Sequence, residues 1–254
     1  MAKKEGSARN EQPLFLEIQI QTVDACNRRC SFCPRSYIKG TGKRMKAEVF
    51  KNIINQLADI GYRGRVTPYL KGEPLLDDRM VDLIRYIRKK LPENFIFLST
   101  NGDLLTKQLS KDLQDAGVNF LKVSAYDWEA HHKVLGWPGV RVWPFYDHGT
   151  ENFNNRGGNV DIGSGPYTGY CARPFQQMYI DYDGKAVLCC SDYKREAIMG
   201  DVIADGILGV WNNEKYAKYR RSLKRGIRRG LALCEKCNYH GGGVSFDGLT
   251  TPNK

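Results

Sequence analysis

The chain has 254 residues, a formal net charge of +11, 26 % charged and 11 % aromatic side chains. That mix excludes a disordered tail, and the length suffices for one large domain or one with a small appendage. Residues 1–13 are polar, no apolar run is long enough to span a bilayer, and the eight cysteines are spaced like metal ligands rather than a secreted disulfide framework. A reducing, cytoplasmic setting without a membrane segment is expected.

Residues 1–13 read as a flexible lead-in, and 241–254 as a flexible tail. Residues 15–21 alternate apolar and polar side chains and predict a first strand. Directly after it stand Cys26, Cys30 and Cys33, at C-x3-C-x2-C spacing, with Phe32 before the last and Pro34 behind it. Thiols this close can serve one soft metal centre. A closed zinc site or a self-contained cubane wants four ligands, and no histidine stands nearby. A 4Fe–4S cluster held by three thiolates would leave one iron open to a small molecule. A zinc knuckle or three core cysteines are the plainer readings.

Val49, Phe50, Ile53, Ile54 and Leu57 recur at helical spacing over 46–60, and Gly61 stops that helix. Strands follow at 65–70, 95–100 and 120–125, with helices at 76–91 and 106–116 between them. Beyond Asp127 the pattern weakens to a short helix at 128–135 and a strand at 141–145. Strands alternating with helices imply parallel, right-handed βα units whose functional loops lie at the carboxyl ends of the strands. The cysteine loop, Gly72-Glu73-Pro74, Thr100-Asn101-Gly102 and the stretch 124–126 all fall at those ends, so one cofactor could touch all four. Glu73 supplies an acceptor for a cationic amine, and Gly72 allows close backbone approach.

The other five cysteines are Cys171, Cys189, Cys190, Cys234 and Cys237. Residues 178–182 and 185–189 read as a hairpin turning at Asp183-Gly184, and 206–224 suits a helix. One cysteine before the hairpin, a pair at its end and a C-x2-C after the helix can bring four thiolates together, as a second cluster or a zinc ribbon. Lys218, Arg220, Arg221, Lys224, Arg225, Arg228 and Arg229 crowd the segment 215–229. A solvated helix face is the plainer reading than a nucleic-acid surface, because only Tyr216 and Tyr219 interleave them. Nucleic acid is not an expected partner.

C-x3-C-x-aromatic-C after the first strand resembles the hallmark of the radical S-adenosylmethionine enzymes. The resemblance implies an α/β fold: a partial (β/α) barrel over residues 14–158. It also implies that Cys26, Cys30 and Cys33 hold a 4Fe–4S cluster whose open iron chelates S-adenosylmethionine. Reductive cleavage of that sulfonium would give a 5′-deoxyadenosyl radical that abstracts a substrate hydrogen. Phe32 would lie beside the adenine, Gly72, Glu73 and Pro74 at the methionine amino group, and Asn101 and Ser124 at the rest of the cofactor. Residues 168–240 resemble the Twitch form of the SPASM extension, a small β-hairpin/α domain with one auxiliary 4Fe–4S cluster. Cys171, Cys189, Cys234 and Cys237 would be its ligands. Cys189 is chosen over Cys190 because the family's ligand stands eleven residues before the glycine matching Gly200. Cys190 is then a packing thiol or a hydrogen donor.

Asn155-Arg156-Gly157-Gly158 lies between the two parts, and the family's arginine there contacts a substrate hydroxyl, so Arg156 is the candidate substrate residue. The order of motifs is similar to Twitch oxidoreductases of natural product biosynthesis. It implies oxidation of an alcohol on a small sugar or aminocyclitol-like metabolite to a ketone, with a flavodoxin- or ferredoxin-type electron donor. A redox-neutral epimerase or dehydratase and a peptide-modifying maturase are the alternatives. The cofactors carry the hard chemistry, and the protein places the reacting carbon and excludes water.

Overall fold

The computed structural model describes residues 14–144 and 154–242, so the tail at 1–13 and nearly all of the one at 241–254 lie outside the described residues. Strands and helices alternate as β1 (Glu17–Ile20), α1 (Ala47–Asp59), β2 (Arg65–Thr67), α2 (Met80–Lys90) and β3 (Phe97–Thr100). They continue as α3 (Lys107–Asp115), β4 (Phe120–Ala125), α4 (Trp128–Val134) and β5 (Val140–Pro144). β1 pairs with β2 and β3–β4–β5 form a second group, all parallel, with a bridge between Val66 and Ile96 joining the two. The result is a partial (β/α) barrel.

One face of this wall is apolar and holds the helices. Ile18, Ile20, Val66, Leu98, Leu121 and Val123 share a core with Phe50, Ile53, Ile54 and Leu57 of α1 and Met80, Leu83, Ile84 and Ile87 of α2. Each fully buried side chain contributes about 2 kcal/mol, so the helical stripe read from the sequence fixes which way each helix faces. α2 begins later than residue 76 because Pro74–Leu76 forms a separate 3-10 turn, capped by the Glu73 side chain. The opposite strand face is polar. Glu17, 1 % exposed, accepts from Arg65 Nε at 3.0 Å, Thr67 Oγ1 at 2.9 Å and Gln177 Nε2, which ties β1, β2 and a third strand.

That third strand comes from the far end of the chain. After α5 (Arg173–Gln176), β6 (Gln177–Ile180) pairs in parallel with β1, from Glu17↔Gln177 to Ile20↔Ile180. β7 (Lys185–Val187) and β8 (Ile198–Asp201) follow antiparallel, giving the sheet order β2-β1-β6-β7-β8. The predicted hairpin is therefore present, turned at Gly184 (φ 84°), and it continues the barrel sheet.

The single helix expected over 206–224 is two: α6 (Gly206–Trp211) and α7 (Glu214–Lys224). Asn213 breaks it, its side chain accepting from the Tyr216 amide at 2.8 Å and donating to the Met199 carbonyl at 2.8 Å. The basic segment after it is not all solvated. Arg220 and Arg228 are 7 % and 4 % exposed. Arg220 donates to the Pro174 and Trp211 carbonyls at 2.8 and 2.6 Å, with its guanidinium 3.9 Å from the Trp211 ring centre. No helix among the described residues is long and apolar enough to cross a membrane.

Candidate active site

The loop after β1 is anchored before its first cysteine. Asp24, 7 % exposed, accepts from Arg35, from the Thr41 amide and hydroxyl at 2.8 Å each, and from Gln21 Nε2 at 2.8 Å. Burial pushes its carboxyl up, but the Thr41 and Arg35 interactions outweigh it and hold the group below its usual range. Inside the loop the Cys33 amide donates to the Cys30 carbonyl at 2.9 Å, and Pro34–Ser36 forms a 3-10 turn. Burial, then the neighbouring Cys33 and Cys26, push the Cys30 thiol up to about 11. Burial foremost also raises Cys26, with Glu73 and Cys33 adding to it.

The loop after β2 meets this one through glycine. At Gly72 (φ 131°) a Cβ would stand 2.2 Å from the Ala25 carbonyl oxygen, which also accepts the Glu73 amide at 2.9 Å. Glu73, 2 % exposed, accepts from Thr100 Oγ1 at 2.6 Å, the Leu75 amide at 3.0 Å and the Asn101 amide at 2.8 Å. Only the Asn101 bond falls on Oε2, so that oxygen keeps a lone pair for a further donor. Burial raises the Glu73 carboxyl, with these bonds working against it.

Asn101 then donates to Asn27 Oδ1 at 2.8 Å. Arg28, within the cysteine loop, donates to Asp103 Oδ2 at 2.8 Å and to Asp127 Oδ2 at 2.7 Å, clamping the ends of β3 and β4. Arg28 and Asp127 were not singled out from sequence; the one signal was Asp127 standing as the cap of α4. Ser124 faces Ser99 at 3.4 Å, and the Phe32 and Tyr126 rings lie 5.5 Å apart. The structure thus gathers Cys26, Cys30, Cys33, Phe32, Gly72, Glu73, Pro74, Asn101 and Ser124 at one mouth of the barrel.

Cys171, Cys189, Cys234 and Cys237 line one cavity with Arg173, Arg228 and Tyr239, enclosing about 20 Å³. Burial, then the thiolates of Cys189, Cys171 and Cys237, push Cys234 far up; burial foremost raises Cys171 and Cys237. Cys189 is held well below its usual value, first by a hydrogen bond from Cys190 and also by Arg173. Among the described residues no trio of His, Cys, Asp or Glu meets closely enough for one metal ion. At both places the donors are soft sulfurs whose ionised forms repel one another, a set that a cationic iron–sulfur core neutralises. The cysteines therefore suit a cluster: three in the first loop, four around the cavity.

Arg156 bridges the two sets. Its backbone sits at φ 50°, in a turn that Asn155 ties to Lys236 and Asn238 at 2.7 Å each and that Asn159 ties to the Ser191 carbonyl at 3.0 Å. The Arg156 charge acts on Tyr126, Tyr193 and Cys190. Tyr193 in turn lies 3.8 Å from Cys33 Sγ, a contact that nothing in the sequence foretold.

Comparison with known proteins accords with this geometry. The model of the Radical SAM superfamily matches residues 20–145, and that of SPASM, an iron–sulfur cluster-binding domain, matches residues 171–238. The chain is 27 % identical, over 89 % of its length and 93 % of the relative's, to S-adenosyl-L-methionine-dependent 2-deoxy-scyllo-inosamine dehydrogenase of Niallia circulans. A GTP 3′,8-cyclase of Clostridium acetobutylicum is 34 % identical over 42 % of this chain and 33 % of its own. The crystal structure of BtrN in complex with AdoMet and 2-DOIA superposes with a TM-score of 0.81 at 25 % identity, covering 91 % of this chain and 95 % of BtrN. Anaerobic-type maturase anSMEcpe with bound AdoMet shares the fold alone, at TM-score 0.62 and 13 % identity over 89 % of both chains. This chain belongs to the radical SAM superfamily and carries a SPASM-type iron–sulfur cluster-binding domain.

Proposed function

We propose that the chain is a radical S-adenosylmethionine dehydrogenase that oxidises a secondary alcohol of a small sugar or aminocyclitol-like metabolite to a ketone. The carrying observation is the position of Arg156, whose charge reaches Tyr126, Tyr193 beside Cys33, and Cys190 beside Cys189. A substrate held by Arg156 is within reach of both thiol sets. The likeness to 2-deoxy-scyllo-inosamine dehydrogenase over nearly its whole length supports the same reaction class.

Two 4Fe–4S clusters are proposed, one on Cys26, Cys30 and Cys33 and one on Cys171, Cys189, Cys234 and Cys237. When bound, they and S-adenosylmethionine supply a hydrogen-abstracting adenosyl radical and an acceptor for one electron. The protein residues bind and orient. Glu73 Oε2 offers an acceptor to the methionine ammonium, Phe32 an apolar face to the adenine, and Ser124 a hydroxyl to the ribose. The Arg156 guanidinium offers fixed donors to substrate oxygens. A flavodoxin- or ferredoxin-type donor and a cytoplasmic setting complete the proposal.

Cys190 favours a second reading, because its thiol lies beside Cys189 and within the influence of Arg156. There it could return a hydrogen atom to the substrate in a redox-neutral epimerisation. The test is anaerobic turnover with 2-deoxy-scyllo-inosamine and related polyols, by mass analysis, using the wild type and a Cys234→Ala/Cys237→Ala variant. The dehydrogenase gives a ketone lighter by two hydrogens. The variant, if its circular dichroism is unchanged, still makes 5′-deoxyadenosine but no ketone. Ketone at the wild-type rate from the variant refutes the electron-acceptor role. An isomeric, solvent-deuterated product that depends on Cys190 supports the epimerase.

A further inference from the structure

We propose that Arg173 is a positioning residue of the four-cysteine site, raising the reduction potential of the cluster there so that it takes the substrate's electron. The proposal rests on the dehydrogenase reading. Turning a carbinol into a ketone gives the C–H hydrogen atom to the adenosyl radical, the hydroxyl proton to solvent and one electron to an acceptor. The last transfer runs forward only if the acceptor's potential lies high enough.

Arg173 stands two residues after Cys171 and lines the same cavity. Its Nη1 donates to Cys189 Sγ at 3.5 Å, and its guanidinium carbon lies 3.7 Å from the Tyr239 ring centre. Two backbone amides join it: Ser191 N donates to Cys189 Sγ and Tyr239 N to Cys237 Sγ, each at 3.4 Å. Three donors therefore point at two of the sulfurs, and one of them carries a full charge.

The other arginine of the cavity is spent differently. Arg228 donates to the carbonyls of Gly169 at 3.0 Å, Tyr170 at 3.2 Å and Cys237 at 3.4 Å, a strut between backbone segments. Arg173 forms no ion pair with a carboxylate among the described residues, so its natural counter-charge is the thiolate set. Burying an unpaired cation is unfavourable by several kcal/mol, which makes its place against Cys189 informative. An electron added to a thiolate-bound cluster makes it one charge more negative. Net charge and hydrogen bonds to sulfur set its potential. A fixed cation touching a ligand sulfur stabilises the reduced form more than the oxidised form.

The test uses the full chain with Cys26, Cys30 and Cys33 replaced by Ala, so that the auxiliary cluster alone gives the spin-resonance signal. Its midpoint potential is titrated with Arg173 intact and as Arg173→Lys, Arg173→Gln and Arg173→Met. The two neutral variants should shift the reduction equilibrium at least tenfold toward the oxidised form, about 59 mV downward for one electron. Arg173→Lys should move it by less than half as much. Unmoved or raised potentials in iron-replete Gln and Met variants overturn the proposal, as does a Lys variant that shifts as far as Met. If Met loses its iron, the Gln variant decides; if all three lose it, the role is structural and the proposal fails. A parent chain that holds no iron overturns the auxiliary-cluster reading as well, so the two failures are told apart.

Discussion

Replacing Gly72 by Ala tests whether the loop after β2 must touch the cysteine loop. The new Cβ would stand 2.2 Å from the Ala25 oxygen, about 0.8 Å inside the 3.0 Å that real Cβ atoms keep. The oxygen cannot retreat alone, because it accepts the Glu73 amide at 2.9 Å. Losing that bond is worth about 1 kcal/mol, and a side chain at φ 131° adds about 1–3 kcal/mol of strain. The sum, about 2–4 kcal/mol, corresponds to a fall in melting temperature of roughly 6–12 °C for a chain of this size. Gly42→Ala is the control. It too has positive φ (73°), but no atom lies within 4 Å of its Cβ, so only about 1 kcal/mol of left-handed strain remains. Melting would be followed by circular dichroism under anaerobic conditions, with S-adenosylmethionine binding measured on the same samples. The reasoning is refuted if Gly72→Ala melts within about 2 °C of Gly42→Ala and binds the cofactor as the wild type does.

Two neighbours in the basic segment should behave oppositely. Arg220→Met loses donors to two buried carbonyls and should destabilise by about 2–3 kcal/mol, whereas exposed Arg221→Met should change stability by less than about 0.5 kcal/mol in denaturant melts. Equal effects would mean that the inward orientation of Arg220 is wrong. Arg156→Lys keeps the charge but loses the planar fork, so ketone yield should fall at least about tenfold while uncoupled 5′-deoxyadenosine formation persists. Arg156→Gly should relieve the φ of 50° and raise stability slightly while losing product; a parallel loss of stability would assign Arg156 to folding.

Much of this was legible because the signals are local. The apolar stripe of Phe50, Ile53, Ile54 and Leu57 announces α1 without knowledge of its partner, and the C-x3-C-x2-C loop needs only eight consecutive residues. Gly200 gave the register that selects Cys189, the one of the pair that lines the cavity. What was not legible depends on partners distant in sequence. Asn213 looks like an ordinary helical residue until the Met199 carbonyl is placed under it. Arg220 and Arg221 are indistinguishable in sequence, and the Trp211 ring decides between them. β8 was missed because Ile198–Asp201 has too few alternating residues to signal a strand alone. Arg28 reads as one more exposed cation beside Arg29 until the ends of β3 and β4 bring Asp103 and Asp127 to it.

The parallel pairing of β1 with β6 has a consequence for biogenesis. Glu17 and Gln177 are 160 positions apart, so on the ribosome β1 has an open hydrogen-bonding edge until almost three-quarters of the chain has emerged. Loop closure over that span is entropically unfavourable and slow, and contacts of such high order form late. During the wait the buried Glu17 carboxylate lacks its Gln177 donor, and the edge is free to pair with another chain. The order of events is thereby constrained. Cys26, Cys30 and Cys33 lie on a loop that is complete early, whereas the four-cysteine cavity closes only with Cys234 and Cys237 near the end of synthesis. Iron delivery to the first loop can precede docking of β6, but delivery to the second must follow it. Overexpression faster than iron supply should therefore yield aggregates nucleated at the β1 edge, and slower synthesis should rescue soluble protein.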